Sequence, residues 1–159
     1  LLVAARAGMG TVAVALDTID LNRELQAAID GVGLHLDAKT PRLPPAIGDG
    51  PRVRQILRNL LTNLERYGGT RRRVVGGVDG GRVWVEVRDD GAGVSGPDAN
   101  RIFEPYASAH KNVSSSVGLG LSVARQLAEL MGGSLTYQRE DGESVFRLEL
   151  ALAKESLFV

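Results

Sequence analysis

RNLLTNLERYGG, residues 58–69, carries two stripes on one helix. Extended back to Arg52, its apolar residues Val53, Ile56, Leu57, Leu60, Leu61 and Leu64 recur every three or four positions, which defines one buried helical face. Gln55, Asn59, Asn63 and Arg66 keep the same spacing, so they form a polar stripe beside the buried one rather than opposite it. A stripe so placed can line a cleft. Amides there can also sit on a solvated face, and the helix alone leaves both readings open.

GDGP at 48–51 turns the chain into this helix. Strands are expected at about 71–78 and 82–89, joined by Asp79-Gly80-Gly81; in the second, Val83, Val85 and Val87 alternate with Arg82, Trp84, Glu86 and Arg88. The segment from about 94 to 117 has no sustained period and is expected to be a long mobile loop. Helical spacing returns at 118–131 and stops at Gly132-Gly133, and a last hairpin over about 134–151 turns at Asp141-Gly142. Upstream, Val12, Val14 and Leu16 alternate as in a strand, Asp20 caps a helix over LNRELQAAID, and Leu34 and Leu36 alternate again. LLVAARAGMG at the start has the pattern of a helix tail stopped at glycine. This order predicts an α/β (α+β) sandwich, a mixed sheet covered on one face by helices. Residues 1–10 are expected to end a preceding helix or linker, 11–153 to form the domain, and 154–159 a tail.

A chain of 159 residues with 43% apolar content can bury one real core. Nineteen basic and nineteen acidic residues balance, which argues against a nucleic-acid binder relying on a broad positive surface. Arg71, Arg72 and Arg73 are expected to be a solvated strand end. The absence of cysteine excludes disulfides, thiolate metal sites and cysteine nucleophiles, and fits a cytoplasmic location. No membrane-length apolar run is present, so any membrane attachment would come through other parts of a parent protein.

The polar positions suit one chemistry. Magnesium takes hard oxygen ligands and keeps several waters, so one side-chain oxygen together with phosphates can hold it. Asn63 can supply that oxygen without repelling phosphate, Asn59 one turn earlier can brace it, and Arg66 would face phosphate. Asp89 ends a strand before Gly91 and Gly93, where a carboxylate can accept from an exocyclic amine while glycines admit a flat base. That selects adenine over guanine; Asp90 is expected to stay solvated. Gly118 and Gly120 open a helix whose unpaired amides attract phosphate, and Lys111 in the preceding loop could swing onto the outer phosphate or stay solvated.

Four motifs in order, RNLLTNLERYG, DDGAGV, IFEPYA and VGLGLSVARQLAELMGG, resemble the N box, first glycine box, F box and second glycine box of the catalytic ATP-binding domain of two-component sensor histidine kinases, a branch of the gyrase, Hsp90, histidine kinase and MutL ATPase superfamily. The resemblance covers nearly everything from Asp20 to Leu150 and implies a Bergerat-type fold with a lid between Phe103 and Gly118. It implies ATP and Mg2+ as cofactors, Asn63 as metal ligand, and Asn59, Asn63 and Arg66 as the catalytic set. Tyr67, Asp89, Gly91, Gly93, Val94, Lys111, Gly118, Leu119, Gly120 and Leu121 would complete the nucleotide site. Departures are Leu64 in place of a small residue, Asp90 where asparagine is frequent, and Ser116 and Val117 before Gly118, which would weaken lid contacts to phosphate.

The family phosphorylates a histidine on a dimerisation helix, and LLVAARAGMG is similar to the end of that helix. This chain offers only His35, in a strand-like alternation, and His110, in the lid, so the acceptor is expected on other sequence. The resemblance further implies a response regulator downstream and a homodimeric parent. Two other readings stay open: a serine kinase of the superfamily acting on a protein antagonist, and a nucleotide-sensing module that moves no phosphate.

Overall fold

The structure, a computed structural model, describes residues 1–7, 10–34, 36–38, 42–94, 96–104 and 120–154. Two aspartates start the two long helices. Asp20 accepts from the Arg23 amide and opens α1 (Leu21–Val32); Asp49 accepts from the Arg52 amide and opens α2 (Gly50–Tyr67), with Pro51 in its first turn. The second carboxylate oxygen of Asp49 also accepts from the Ala15 amide at 2.8 Å, tying the preceding strand to the helix start.

That strand is β2 (Gly10–Ala15), and its antiparallel partner is β1 (Leu2–Ala7). The expectation of a helix tail at 1–10 is thereby corrected. Val3 and Val12 pack against the core, so long-range pairing and burial override the helical preference of an alanine-rich run. Short strands β3 (Asp17–Ile19) and β5 (Ala46–Gly48) pair with each other, on either side of β4 (Asp37–Ala38) in sequence. The expected strands follow as β6 (Arg72–Asp79) and β7 (Arg82–Asp89). Next comes α3 (Pro97–Arg101), inside the predicted loop, where Pro97 and Asp98 favour a first turn. Residue 95 and residues 105–119, which hold most of the predicted lid and His110, lie outside the described residues, as does His35. The chain closes with α4 (Leu121–Leu130), β8 (Ser134–Glu140) and β9 (Glu143–Ala151).

The main sheet has 5 strands in the order β4-β6-β7-β9-β8, antiparallel except for the β4–β6 pair. Helices α2 and α4 cover one face, with α1 packed on α2, which is the mixed sheet and helical layer expected. Val83, Val85 and Val87 share one core with Leu57, Leu60 and Leu61 of α2 and Leu148 of β9, all at most 1% exposed.

The other sheet face is covered by its own charges. Arg73 pairs with Glu143, Glu143 with Arg88, Arg88 with Glu86, Glu86 with Arg147 and Arg147 with Glu149, all between 2.7 and 3.2 Å. Glu86, on the polar side of its strand, is therefore only 5% exposed. Burial pushes the Arg88 guanidinium down, and Glu86, Glu143 and Glu140 together more than reverse this, leaving it raised overall. The Arg147 guanidinium stacks 4.3 Å from the Trp84 ring centre.

Candidate functional site

The end of α2 is pressed against the turn after β7. Gly68 caps the helix by donating to the Leu64 carbonyl at 2.9 Å, and a Cβ built on Gly68 would lie 3.4 Å from that of Asp89. Gly69 is closer still: a Cβ there would stand 2.1 Å from an Asp90 carboxylate oxygen and 2.8 Å from the Gly91 nitrogen, so no side chain fits. RYGG and DDGAG, separated in sequence, thus form one wall. Asn63 sits five residues before Gly68, about 7–8 Å back along the helix axis at 1.5 Å per residue.

Asp89 is buried, 8% exposed, between Arg72 and Ser144 in the sheet register. One carboxylate oxygen accepts from the Gly91 amide at 2.8 Å, which folds the turn back, and the other has no bonded group among the described residues. Asp90 is exposed, as expected, yet it is also structural, accepting from the Arg71 amide at 2.9 Å. The arginine run is likewise tied down rather than only solvated, with Arg72 donating to the Gly69 carbonyl and Arg73 to Glu143. An open cleft of about 850 Å³ beside Asp90 is lined by these arginines, and none of Asn59, Asn63 and Asp89 lines it.

On α2, Asn59 and Asn63 are half-buried at the border of the apolar stripe and Arg66 is exposed. The Asn59 amide nitrogen is buried and has no hydrogen-bond acceptor among the described residues. A buried donor left unpaired costs about 1–3 kcal/mol, so an oxygen ligand or its water is the natural complement. Asn63 has no bonded group among the described residues, which leaves its neutral oxygen available to a hard cation. These residues fit a nucleotide phosphate with magnesium. No cluster of three or more His, Cys, Asp or Glu side chains offers a rival metal site among the described residues.

Gly120 caps α4 without a side-chain bond and Leu121, half-buried, is its first residue. Lys111, Gly118, Leu119 and the side chain of Tyr67 lie outside the described residues, as do Ser116 and Val117.

Sequence reasoning missed three residues here. Tyr137 and Arg139 of β8 and Ser144 of β9 lie under the glycine turn: the Tyr137 hydroxyl bonds both the amide and the carbonyl of Val94, at 2.8 and 3.2 Å, and Arg139 donates to the Gly91 carbonyl at 2.8 Å. The one signal available was an arginine in phase with Leu135 and Tyr137, on the inward side of its strand.

A profile described as histidine kinase-, DNA gyrase B-, and HSP90-like ATPase matches residues 48–154, and the chain belongs to that family. Within it, the chain corresponds to the ATPase-like domain of sensor histidine kinases. It is 30% identical over 155 residues to the sensory histidine kinase/phosphatase NtrB of Rhodobacter capsulatus, covering 86% of this chain and 43% of that protein. Among solved structures, the catalytic domain of histidine kinase ThkA superposes with a TM-score of 0.73 at 20% identity, covering 87% of this chain and 96% of that one. Full-length ShkA in complex with AMPPNP matches with a TM-score of 0.69 at 28% identity, covering 89% of this chain and 32% of that one. The chain spans less than half the length of the curated relative it matches. No helix among the described residues is long and apolar enough to cross a membrane.

Proposed function

We propose that this domain binds magnesium-ATP between α2 and the Asp89 turn and presents its outer phosphoryl group to a histidine on a dimerisation domain elsewhere in a homodimeric, cytoplasm-facing parent kinase, from which a response regulator then receives it. The observation that carries this is the buried, unpaired Asn59 amide on the same helix whose end abuts Asp89. The Asp89 oxygen left over from the Gly91 bond would accept from the adenine amine. Asn63 would hold the metal, which when bound neutralises phosphate charge and helps keep the triphosphate extended. Arg66, exposed at the last turn of α2, would face the phosphates. Lys111 and the segment Gly118 to Leu121 would close over them, with α4 adding its dipole. Catalysis in this reading is positioning and charge neutralisation, with no covalent step on the domain itself.

The test is calorimetric titration with a nonhydrolysable ATP analogue, with and without magnesium, and with GTP as control. Asn63→Ala should abolish the magnesium-dependent part of binding. Unchanged affinity in that variant would remove the metal assignment, and absence of binding in the unmodified chain would remove the proposal.

A further inference from the structure

We infer that Tyr137 and Arg139 are positioning residues of the nucleotide site, holding the backbone of Gly91–Val94 in the shape that meets the base. This rests on the nucleotide reading above.

The turn leaves four backbone groups to satisfy at its two ends, and each has a side-chain partner. The Gly91 amide donates to Asp89, the Gly91 carbonyl accepts from Arg139, and both the amide and the carbonyl of Val94 bond the Tyr137 hydroxyl. Ser144 links the two clamps, 3.1 Å from the Tyr137 hydroxyl and 3.0 Å from Arg139. The protons balance. Tyr137 accepts from the Val94 amide and from Ser144 and donates to the Val94 carbonyl, while Ser144 accepts from Arg139. Gly93, between the anchors, has φ 64° and lies against this trio: a Cβ there would fall 2.3 Å from Ser144 Oγ, 2.6 Å from Arg139 Nη1 and 2.7 Å from Tyr137 Oη. Ala92 and Gly93, at the tip, remain exposed. The clamp therefore lies beneath the turn and leaves its outer side open.

The Tyr137 ring is itself fixed. It packs 4.9 Å from the Phe146 ring, Phe146 meets Phe103 edge-on at 6.4 Å, and Arg125 of α4 lies 4.8 Å over Phe103. A turn held in this way does not have to be ordered when a ligand arrives, and that saving appears as affinity.

The experiment compares the unmodified chain with Tyr137→Phe, which keeps the ring, and Arg139→Met, which keeps an unbranched stem and removes the donor to the Gly91 carbonyl and Ser144. Affinity is measured for ATP and GTP at a temperature where each variant is fully folded, and amide exchange is followed at Val94 without nucleotide. Each variant should bind ATP about 5- to 30-fold more weakly, the loss expected for one or two hydrogen bonds at about 1 kcal/mol each. Preference for ATP over GTP should fall by a similar factor, and Val94 exchange should quicken in Tyr137→Phe. Faster exchange with unchanged ATP affinity and base preference would make the clamp purely structural and overturn the inference while leaving the proposed function intact. Failure of both variants to fold would overturn it equally, by assigning the pair to general stability. No ATP binding by the unmodified chain would overturn both.

Discussion

Gly93→Ala separates backbone conformation from close packing, because a second glycine provides the control. Both Gly93 and Gly80 have positive φ, 64° and 54°, but a Cβ on Gly80 meets nothing within 4 Å. A side chain in the left-handed region costs about 1–2 kcal/mol, and alanine recovers about 0.4–1 kcal/mol by restricting the unfolded chain, so Gly80→Ala should destabilise by about 1 kcal/mol. Gly93→Ala carries the same term and also drives a methyl into three polar atoms, all closer than 3.0 Å. Those atoms can retreat only by releasing bonds to Gly91 and Val94. At about 1 kcal/mol each, two lost bonds bring the total to about 3 kcal/mol. Urea unfolding of the nucleotide-free chain, compared at constant slope, measures the difference. If the two variants fall within about 0.5 kcal/mol of each other, the packing of the clamp on the turn is refuted.

Asp89→Asn keeps an oxygen for the Gly91 amide but removes the charge and the second acceptor, so ATP affinity should drop about 5- to 100-fold with little change in fold, read by titration and circular dichroism. The Arg73 hydrogen bond holds the Glu143 carboxyl below its usual range despite some burial, with Arg88 adding to the effect. A depressed carboxyl stabilises the fold above its unfolded pKa and loses that contribution as pH falls through the folded one. Glu143→Gln should therefore be less stable than the unmodified chain at neutral pH and converge with it on acidification below about 4.5, as followed by denaturant midpoints across pH. Equal midpoints at pH 7 would show the pair to be idle.

Local chemistry was legible where it was self-sufficient. Asp20 and the GDGP turn announced their helices because a helix start needs only the next few residues, and the valines of β7 alternate because one face is buried along its whole length. The start of the chain was not, since LVAARA becomes a strand only through its pairing with GTVAVA. Glu86 alternates like a solvent residue and is buried by arginine arms from its own strand and from β9, which no spacing rule anticipates. At the site, the asparagine stripe on one helix and Asp89 at a strand end could be located because their neighbours in sequence are also their neighbours in space. The clamp could not, because Tyr137 lies 43 residues from Val94 and Arg139 48 from Gly91.

The strand order bears on how the molecule is made. β9 follows both β7 and β8 in the chain yet sits between them. Until residues 143–151 leave the ribosome, the inner edge of β7 has no neighbour, Asp89 lacks Ser144 opposite it, and neither clamp is complete. The β7-β9-β8 half of the sheet therefore forms only once its middle strand is available, and the nascent chain must keep a valine-rich edge unsatisfied until then.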